Sequence, residues 1–393
     1  MATSSPTIQF YGGIGTIGGT KIVVQEGEYR VVFDFGLNYA PGGDFWGGNL
    51  QPRRGPGRLR DLVALGYTPA LNGLYKEGYA QSLGLTAGTD DKTQVFISHL
   101  HLDHMAAVDI LADAVPVWMH EDSLRLFRAV AEVGEQPPVP VDSRGFRWGE
   151  PIEVGPIKVT PVAVDHDIPG ASALLIETSA GTVVYSGDLR THGARPERIA
   201  EFIAAARAKN PQILLIEGTR LGEPEPTPER PPTTPEPEVA QKAAAQALAA
   251  RGLAMITLYP RNTLRIANIV AALKGTERRM VLSPEVAHIY AAMGGDLSEV
   301  ALFKRHKDQD ELANGTAPEW LRQLFAGGHQ VLDAEAIRAN QSHYLLQLFF
   351  SDFTELVDLQ PAEGSVFIHS NGEPLGRFDP SYELFTRWLD RFG

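Results

Sequence analysis

The chain contains no cysteine among its 393 residues. That excludes disulfides and any thiolate-held metal, so a metal site here must be built from imidazole and carboxylate. No apolar run is long enough to cross a bilayer. The opening "MATSSPTIQF" has no charged segment followed by an apolar stretch, so no secretory signal is read there. Basic charge is short: Lys plus Arg number 35 against 48 Asp plus Glu, for a net charge of −13. That balance argues against general nucleic-acid binding through a basic face. A site holding divalent cations carries its own positive charge, however, and leaves an anionic substrate open. We find no internal repeat. The expectation is a cytoplasmic enzyme, long enough for two domains and a large core.

What is present reads as two halves. "TIQFYGGIG", "TKIVVQ" and "YRVVFDFG" are short β-branched and aromatic runs between glycine turns, hence strands. A polar, glycine-rich excursion follows over residues 38 to 93. Within it "QPRRGPGRLR" gathers Arg53, Arg54, Arg58 and Arg60 with no acid among them. That stretch is a candidate contact for a polyanion, and otherwise a solvated loop. "TQVFIS" is a buried-type strand, "MAAVDILADA" reads as a helix, and "EDSLRLFRAVAEVG" as a second helix ending at Gly134. Three strands, a helix and the strand "QILLIEG" complete this half. Then "GEPEPTPERPPTTPEPE" carries seven prolines in seventeen residues and reads as an extended connector. Beyond it, helices and strands alternate, which predicts a parallel sheet. The expected domains are 1–217, a connector over 218–238, and 239–393.

The chemistry concentrates in "HLHLDH", residues 99 to 104. His99 and His101 are two apart, a spacing that in extended chain points both rings to one side. Asp103 and His104 follow as the chain turns. One ion could take His99 and His101, and a second could take Asp103 and His104, in a two-metal hydrolytic arrangement with ions about 3.5–4 Å apart. "VDHDIPG" offers His166 at a strand end, and "YSGDLR" offers Asp188 just after a strand, where a carboxylate could bridge both ions. Asp34 in "VVFDFG" ends a strand nearby and is expected to hold the metal loop by hydrogen bonds. His120, His288 and His306 stand alone and are read as surface or core residues.

"HLHLDH", with "DFG" before it and "SGD" after it, resembles the metallo-β-lactamase superfamily over residues 7 to about 217. The resemblance implies an αββα sandwich with a two-metal site at one edge, shared by lactamases, thioesterases, lactonases and nucleases, so fold does not settle substrate. "RNTLRIANIVAAL", "VLSPEVAHIY" and "GSVFIHSNGEP" resemble the inserted α/β domain of β-CASP nucleases, and "GGIGTIGGTKIVV" resembles the opening of the ribonuclease J group. The fold class expected is therefore α/β: the sandwich plus an inserted β-CASP-like domain.

That resemblance implies phosphodiester hydrolysis, with His99, His101 and His166 on one ion, Asp103, His104 and Asp188 on the other, and Asp188 bridging. Asp103 and Asp188 are the catalytic carboxylates it implies. Glu217 is carried over as an acidic residue beside the site. The ions would be zinc or manganese, and the substrate single-stranded RNA, with DNA open. Membrane association is not expected, and a homo-oligomer is open. The "SGH"-like and "PxHG"-like histidine motifs of the β-CASP nucleases are missing, and His369 does not match them. A fragment lacking the closing part of the sandwich is the expectation. Two alternatives are a hydrolase of a small ester, thioester or lactone on the same metals, and a β-CASP scaffold without activity.

Overall fold

The computed structural model describes residues 5–39, 53–134, 137–219, 233–371 and 381–393, with Phe45, Leu50 and Leu221. It divides into two compact units, Met1–Thr233 and Thr234–Gly393.

The first unit is built on two sheets. One contains β1 (Thr7–Gly12), β2 (Lys21–Glu26), β3 (Tyr29–Phe33), β4 (Thr93–Phe96), β5 (Val117–His120) and β6 (Ser143–Phe146), side by side in that order. The first three are antiparallel and β3 to β6 are parallel. The other sheet contains β7 (Ile152–Val154), β8 (Ile157–Ala163), β9 (Ser172–Thr178), β10 (Gly181–Tyr185) and β11 (Ile213–Leu215), in reverse order across the sheet. Alternation along each strand sends one set of side chains between the sheets. Ile22, Val24, Val31, Phe33 and Phe96 meet Ile157, Val159, Leu174, Ile176 and Tyr185 there. The opposite face of the second sheet, with Ala173, Leu175 and Val184, is covered through Phe202 by the helix Glu197–Ala208. Helix Glu121–Glu132 packs beside β5 and β6. These are the layers of an αββα sandwich.

One consequence positions the site. β3 and β4 are parallel, as are β10 and β11, and β8 runs with β10 because both are antiparallel to β9. Asp34, His99, His166, Asp188 and Glu217 each follow the carboxyl end of one of these strands.

The second unit carries a six-stranded, wholly parallel sheet in the order β15-β14-β13-β16-β12-β17. These strands are β12 (Ala254–Ile256), β13 (Arg279–Leu282), β14 (Val300–Phe303), β15 (Val331–Leu332), β16 (Tyr344–Gln347) and β17 (Val366–Ile368). Helices Glu236–Ala249, Thr263–Leu273 and Pro284–Ala292 bury one face of it, and Ala334–Ala339 and Ser381–Phe392 pack on the other. Local chemistry marks the starts: the Asn262 side chain caps the second of these helices by accepting from Arg265 N at 3.1 Å, and Pro284 opens the third.

Three expectations are corrected. "MAAVDILADA" is not one helix; the chain forms a single turn at Leu102–Met105 and a 3₁₀ turn at Val108–Ile110. Ala107, Val108, Ile110, Leu111 and Ala112 are all buried, leaving little polar face, and Ala107 N and Ala112 N donate to the carbonyls of Phe35 and Leu74 rather than within a helix. The excursion before β4 contains helices, Pro56–Ala64 and Glu77–Gln81, the first held by buried Leu59 and Leu62. Finally, the expected connector overlaps a helix, because Glu236, Pro237 and Glu238 form the first turn of Glu236–Ala249, where proline costs no hydrogen bond. Arg220 and residues 222–232 of that connector lie outside the described residues.

Arg305 is the largest fully buried side chain of the second unit, 1% exposed. It donates to Asp308 at 2.9 Å, Asp352 at 3.0 Å and Glu285 at 2.8 Å. Removing one partner from such a network leaves the others charged and unpaired. Arg305→Ala should therefore cost about 3–5 kcal/mol, read as a lower urea midpoint for the unit, whereas Arg54→Ala on the surface should stay within about 0.5 kcal/mol.

Candidate metal centre

The site is assembled from strand ends. β4 delivers Ser98 and His99, and the next five residues turn back as His101 caps the short helix Leu102–Met105. The loop after β8 brings His166, and the turn after β10 brings Asp188. Two groups of donors result: His99, His101, His166 and Asp188, and Asp103, His104 and Asp188, with the ligand atoms of each group within 4.8 Å of one another. Nδ1 of His101 lies 2.9 Å from Nε2 of His99 and 3.1 Å from Nε2 of His166. Nε2 of His104 is 3.6 Å from an Asp103 oxygen and 3.4 Å from Oδ1 of Asp188. The second Asp188 oxygen is 3.9 Å from Nε2 of His99. Asp188 thus turns one oxygen to each group.

Hydrogen bonds set the tautomers. The buried Asp34 carboxylate accepts from Ser98 N at 2.7 Å, from Ser98 Oγ at 2.8 Å, from His104 Nδ1 at 2.7 Å and from the Tyr185 hydroxyl. Ser98 spends its proton on Asp34, so its oxygen accepts from His99 Nδ1 at 3.0 Å. With Nδ1 donating in both rings, His99 and His104 each turn Nε2 into the cluster, where His104 would ligate on losing its second proton. Asp34 sits at φ 55°, in the left-handed region. It is a strained position for a residue other than glycine, held here by four donors.

The donor chemistry fits a pair of divalent ions. Nitrogens and oxygens about 2.0–2.2 Å from a common ion lie roughly 3–3.5 Å apart, close to the spacing found here. Imidazole lone pairs that face one another at such distances gain nothing from each other and much from a shared cation. His166 Nδ1 is buried without a hydrogen-bond partner, while its Nε2 faces His101 at 3.1 Å.

Charge separates the two groups. Burial lowers the His166 pKa to about 4, so this ring is neutral across the physiological range. At His104 burial opposes the charge, but the Asp34 and Asp188 carboxylates outweigh it and hold the imidazole well above its ordinary value. Burial resists ionisation of Asp188 too, and the neighbouring histidines, His104 first, overcome it and pull the carboxyl down to about 2. Burial raises Asp103.

A groove of about 600 Å³ opens beside Asp103, His104 and Asp188, walled by the glycine-rich loop after β1 and by the exposed strand β11 with Ile216 and Glu217. Glu217 enters neither donor group; its carboxylate accepts from Thr219 N at 2.9 Å. Two of the four arginines are neutralised: Arg53 pairs with Asp61 at 2.8 Å and Arg58 with Asp109 at 3.0 Å, acids that lie outside the motif quoted for them. Arg54 and Arg60 are exposed. His120 caps helix Glu121–Glu132 and stacks on Trp148. Sequence reasoning missed Ser98, Tyr185 and Asp167. Asp167 places a carboxylate oxygen 3.5 Å from His101 and 3.3 Å from His166. The available signal was position: Ser98 directly precedes "HLHLDH", and Tyr185 and Asp167 lie inside "YSGDLR" and "VDHDIPG".

A model described as a beta-lactamase superfamily domain matches residues 81–282, about half of the chain, and the chain belongs to that superfamily. Its members are metal-dependent hydrolases, and the fold implies divalent metal ions. Among characterised relatives, the chain is 28% identical over 203 residues to a protein named Ribonuclease J from Sinorhizobium meliloti, covering 48% of this chain and 33% of the relative. It is 30% identical over 145 residues to one of the same name from Pyrococcus abyssi, covering 34% and 31%. The match thus spans about a third of each relative's length. A crystal structure of a protein of unknown function from Enterococcus faecalis V583 superposes with a TM-score of 0.76 at 28% identity, over 99% of this chain and 86% of that one.

Two outcomes are expected. Asp34→Asn should weaken metal binding by about 10–100-fold, because an amide cannot accept from all four donors; competition with a chromophoric chelator measures it. Lowering the pH should loosen the ion on Asp103, His104 and Asp188 first. Its histidine has the raised pKa and must shed a proton before it ligates, whereas His166 stays neutral down to about pH 4. Metal content followed from pH 8 to 4 should fall in two steps, not one.

Proposed function

We propose that this chain is a metal-dependent phosphodiester hydrolase acting on RNA, of the ribonuclease J type. The observation that carries the reading is Asp188, one carboxylate shared between two donor groups. His99, His101 and His166 would hold one ion, and Asp103, His104 and Asp188 the other, with Asp188 common to both donor groups. Two such ions supply a lowered water pKa and neutralise charge on the non-bridging oxygens of a phosphodiester. The protein's own part is to hold those donors in place: Asp34 orients His104 and, through Ser98, His99. Zinc suits the nitrogen-rich set, and manganese is the second choice.

Support for RNA comes from the named relatives and from the α/β unit, which a small-ester hydrolase rarely needs. We read residues 1–217 as the metallo-β-lactamase domain and the unit that opens with helix Glu236–Ala249 as a β-CASP-like domain. Arg54 and Arg60, exposed and unlike Arg53 and Arg58 not tied to an acid in an ion pair, are the better candidates for backbone contact. Among the described residues no helix is long and apolar enough to cross a membrane; we place the protein in the cytoplasm.

The test is cleavage of a 5′-monophosphorylated single-stranded RNA with zinc or manganese supplied, against His101→Ala as the blank. Cleavage that the blank lacks supports the reading. Turnover of a generic thioester without any RNA cleavage would replace it with the small-ester alternative. Asp188→Ala should lose both ions or all activity, and a variant retaining full metal content and rate would remove Asp188 from its role.

A further inference from the structure

Lys21 opens β2 with no exposed surface, beside the metal centre, and belongs to neither donor group. Its ammonium donates to the carbonyl of Gly36 and, at 3.2 Å, to the carbonyl of Gly19. Those carbonyls lie on two loops that clasp the second donor group. From the first loop, Gly19 N donates to Asp103 O at 2.9 Å. From the second, Phe35 N donates to His104 O at 2.7 Å and Leu37 N to Leu102 O at 3.3 Å. The fit leaves no slack: a Cβ on Gly36 would lie 1.6 Å from Asp103 O, and one on Gly18, itself at φ 66°, would lie 2.1 Å from Asp103 Cβ. Backbone contacts also join the two loops, Gly36 N to Thr20 O at 3.5 Å, Tyr39 N to Ile17 O at 2.9 Å and a bridge between Gly18 and Asn38, and Lys21 adds a buried side-chain link between the Gly19 and Gly36 carbonyls.

Core packing does not explain a lysine here. A methionine has nearly the same length and shape, and no charge to strip of water. What methionine lacks is the donor that joins Gly19 to Gly36. We infer that Lys21 is a positioning residue for the second ion: it closes the two glycine loops on Asp103 and His104, and so sets the affinity and geometry of the Asp103, His104 and Asp188 site without acting on His99, His101 and His166. The inference rests on the two-ion reading of the proposed function.

The experiment is a cobalt titration of the metal-stripped 393-residue chain, following the visible d–d bands, for wild type and Lys21→Met, with the urea midpoint of each metal-free protein measured alongside. Wild type is expected to take up two equivalents in two steps. Lys21→Met is expected to bind the first unchanged and the second at least tenfold more weakly, with altered bands, while its unfolding midpoint is not lowered. Lys21→Gln, which keeps an amide donor on a shorter stem, should fall between the two and serves if the methionine variant does not fold. An unchanged titration and spectrum, equal weakening of both ions, or a loss that merely tracks a lower midpoint would overturn the role of Lys21 alone. A wild-type chain that binds one ion or none would overturn the two-ion reading itself, and Lys21 with it.

Discussion

The metal centre depends on one carboxylate. Asp34 accepts four hydrogen bonds in a buried setting, from a backbone amide, a serine, a histidine and a tyrosine. Each of those donors needs an acceptor, because a buried polar group left unpaired costs about 1–3 kcal/mol. Their convergence on Asp34 fixes β4 against β3 and β10, and the same bonds decide which nitrogen of His99 and His104 faces the cluster. A strained φ at Asp34 is tolerated because four bonds over-determine it. Orientation of the first and second donor groups is therefore not independent: both pass through one side chain.

The sandwich supplies the second constraint. The two sheets contribute different candidate donors, His99 to His104 from the first and His166 and Asp188 from the second. The packing of a core that includes Phe33 and Phe96 against Leu174 and Tyr185 brings those edges together. Hydrophobic burial, worth about 25 cal/mol per Å² of apolar surface, does the joining, and the polar network then sets angles and protonation. The charge pattern follows from the same geometry. One group contains a histidine kept neutral by burial, and the other a histidine kept charged by carboxylates until a metal replaces its proton.

Much of this was legible in the residue order, and the failures are informative. The strands of the first unit could be read because runs such as "KIVVQE" and "YRVVF" place β-branched residues at most of their buried positions. "MAAVDILADA" misled because composition favours a helix while its amides bond to Phe35 and Leu74, far away in the chain. The arginines of "QPRRGPGRLR" looked unbalanced because Asp61 falls one residue past the motif and Asp109 lies 51 residues from Arg58.

The residue order by itself determined the candidate donor types and their spacing: imidazoles at 99, 101 and 104, carboxylates at 103 and 188, and no thiolate to compete for a metal. It also determined that an acidic residue would close a strand at position 34. Tertiary structure alone decided that Asp188 turns one oxygen to each group, that Tyr185 reaches Asp34 across 151 residues, and that Lys21 lies buried between two glycine carbonyls. The reason is physical. Spacing along a strand sets which side chains share an edge, but lone-pair direction and proton position come from hydrogen bonds between segments that meet only when the sheets pack.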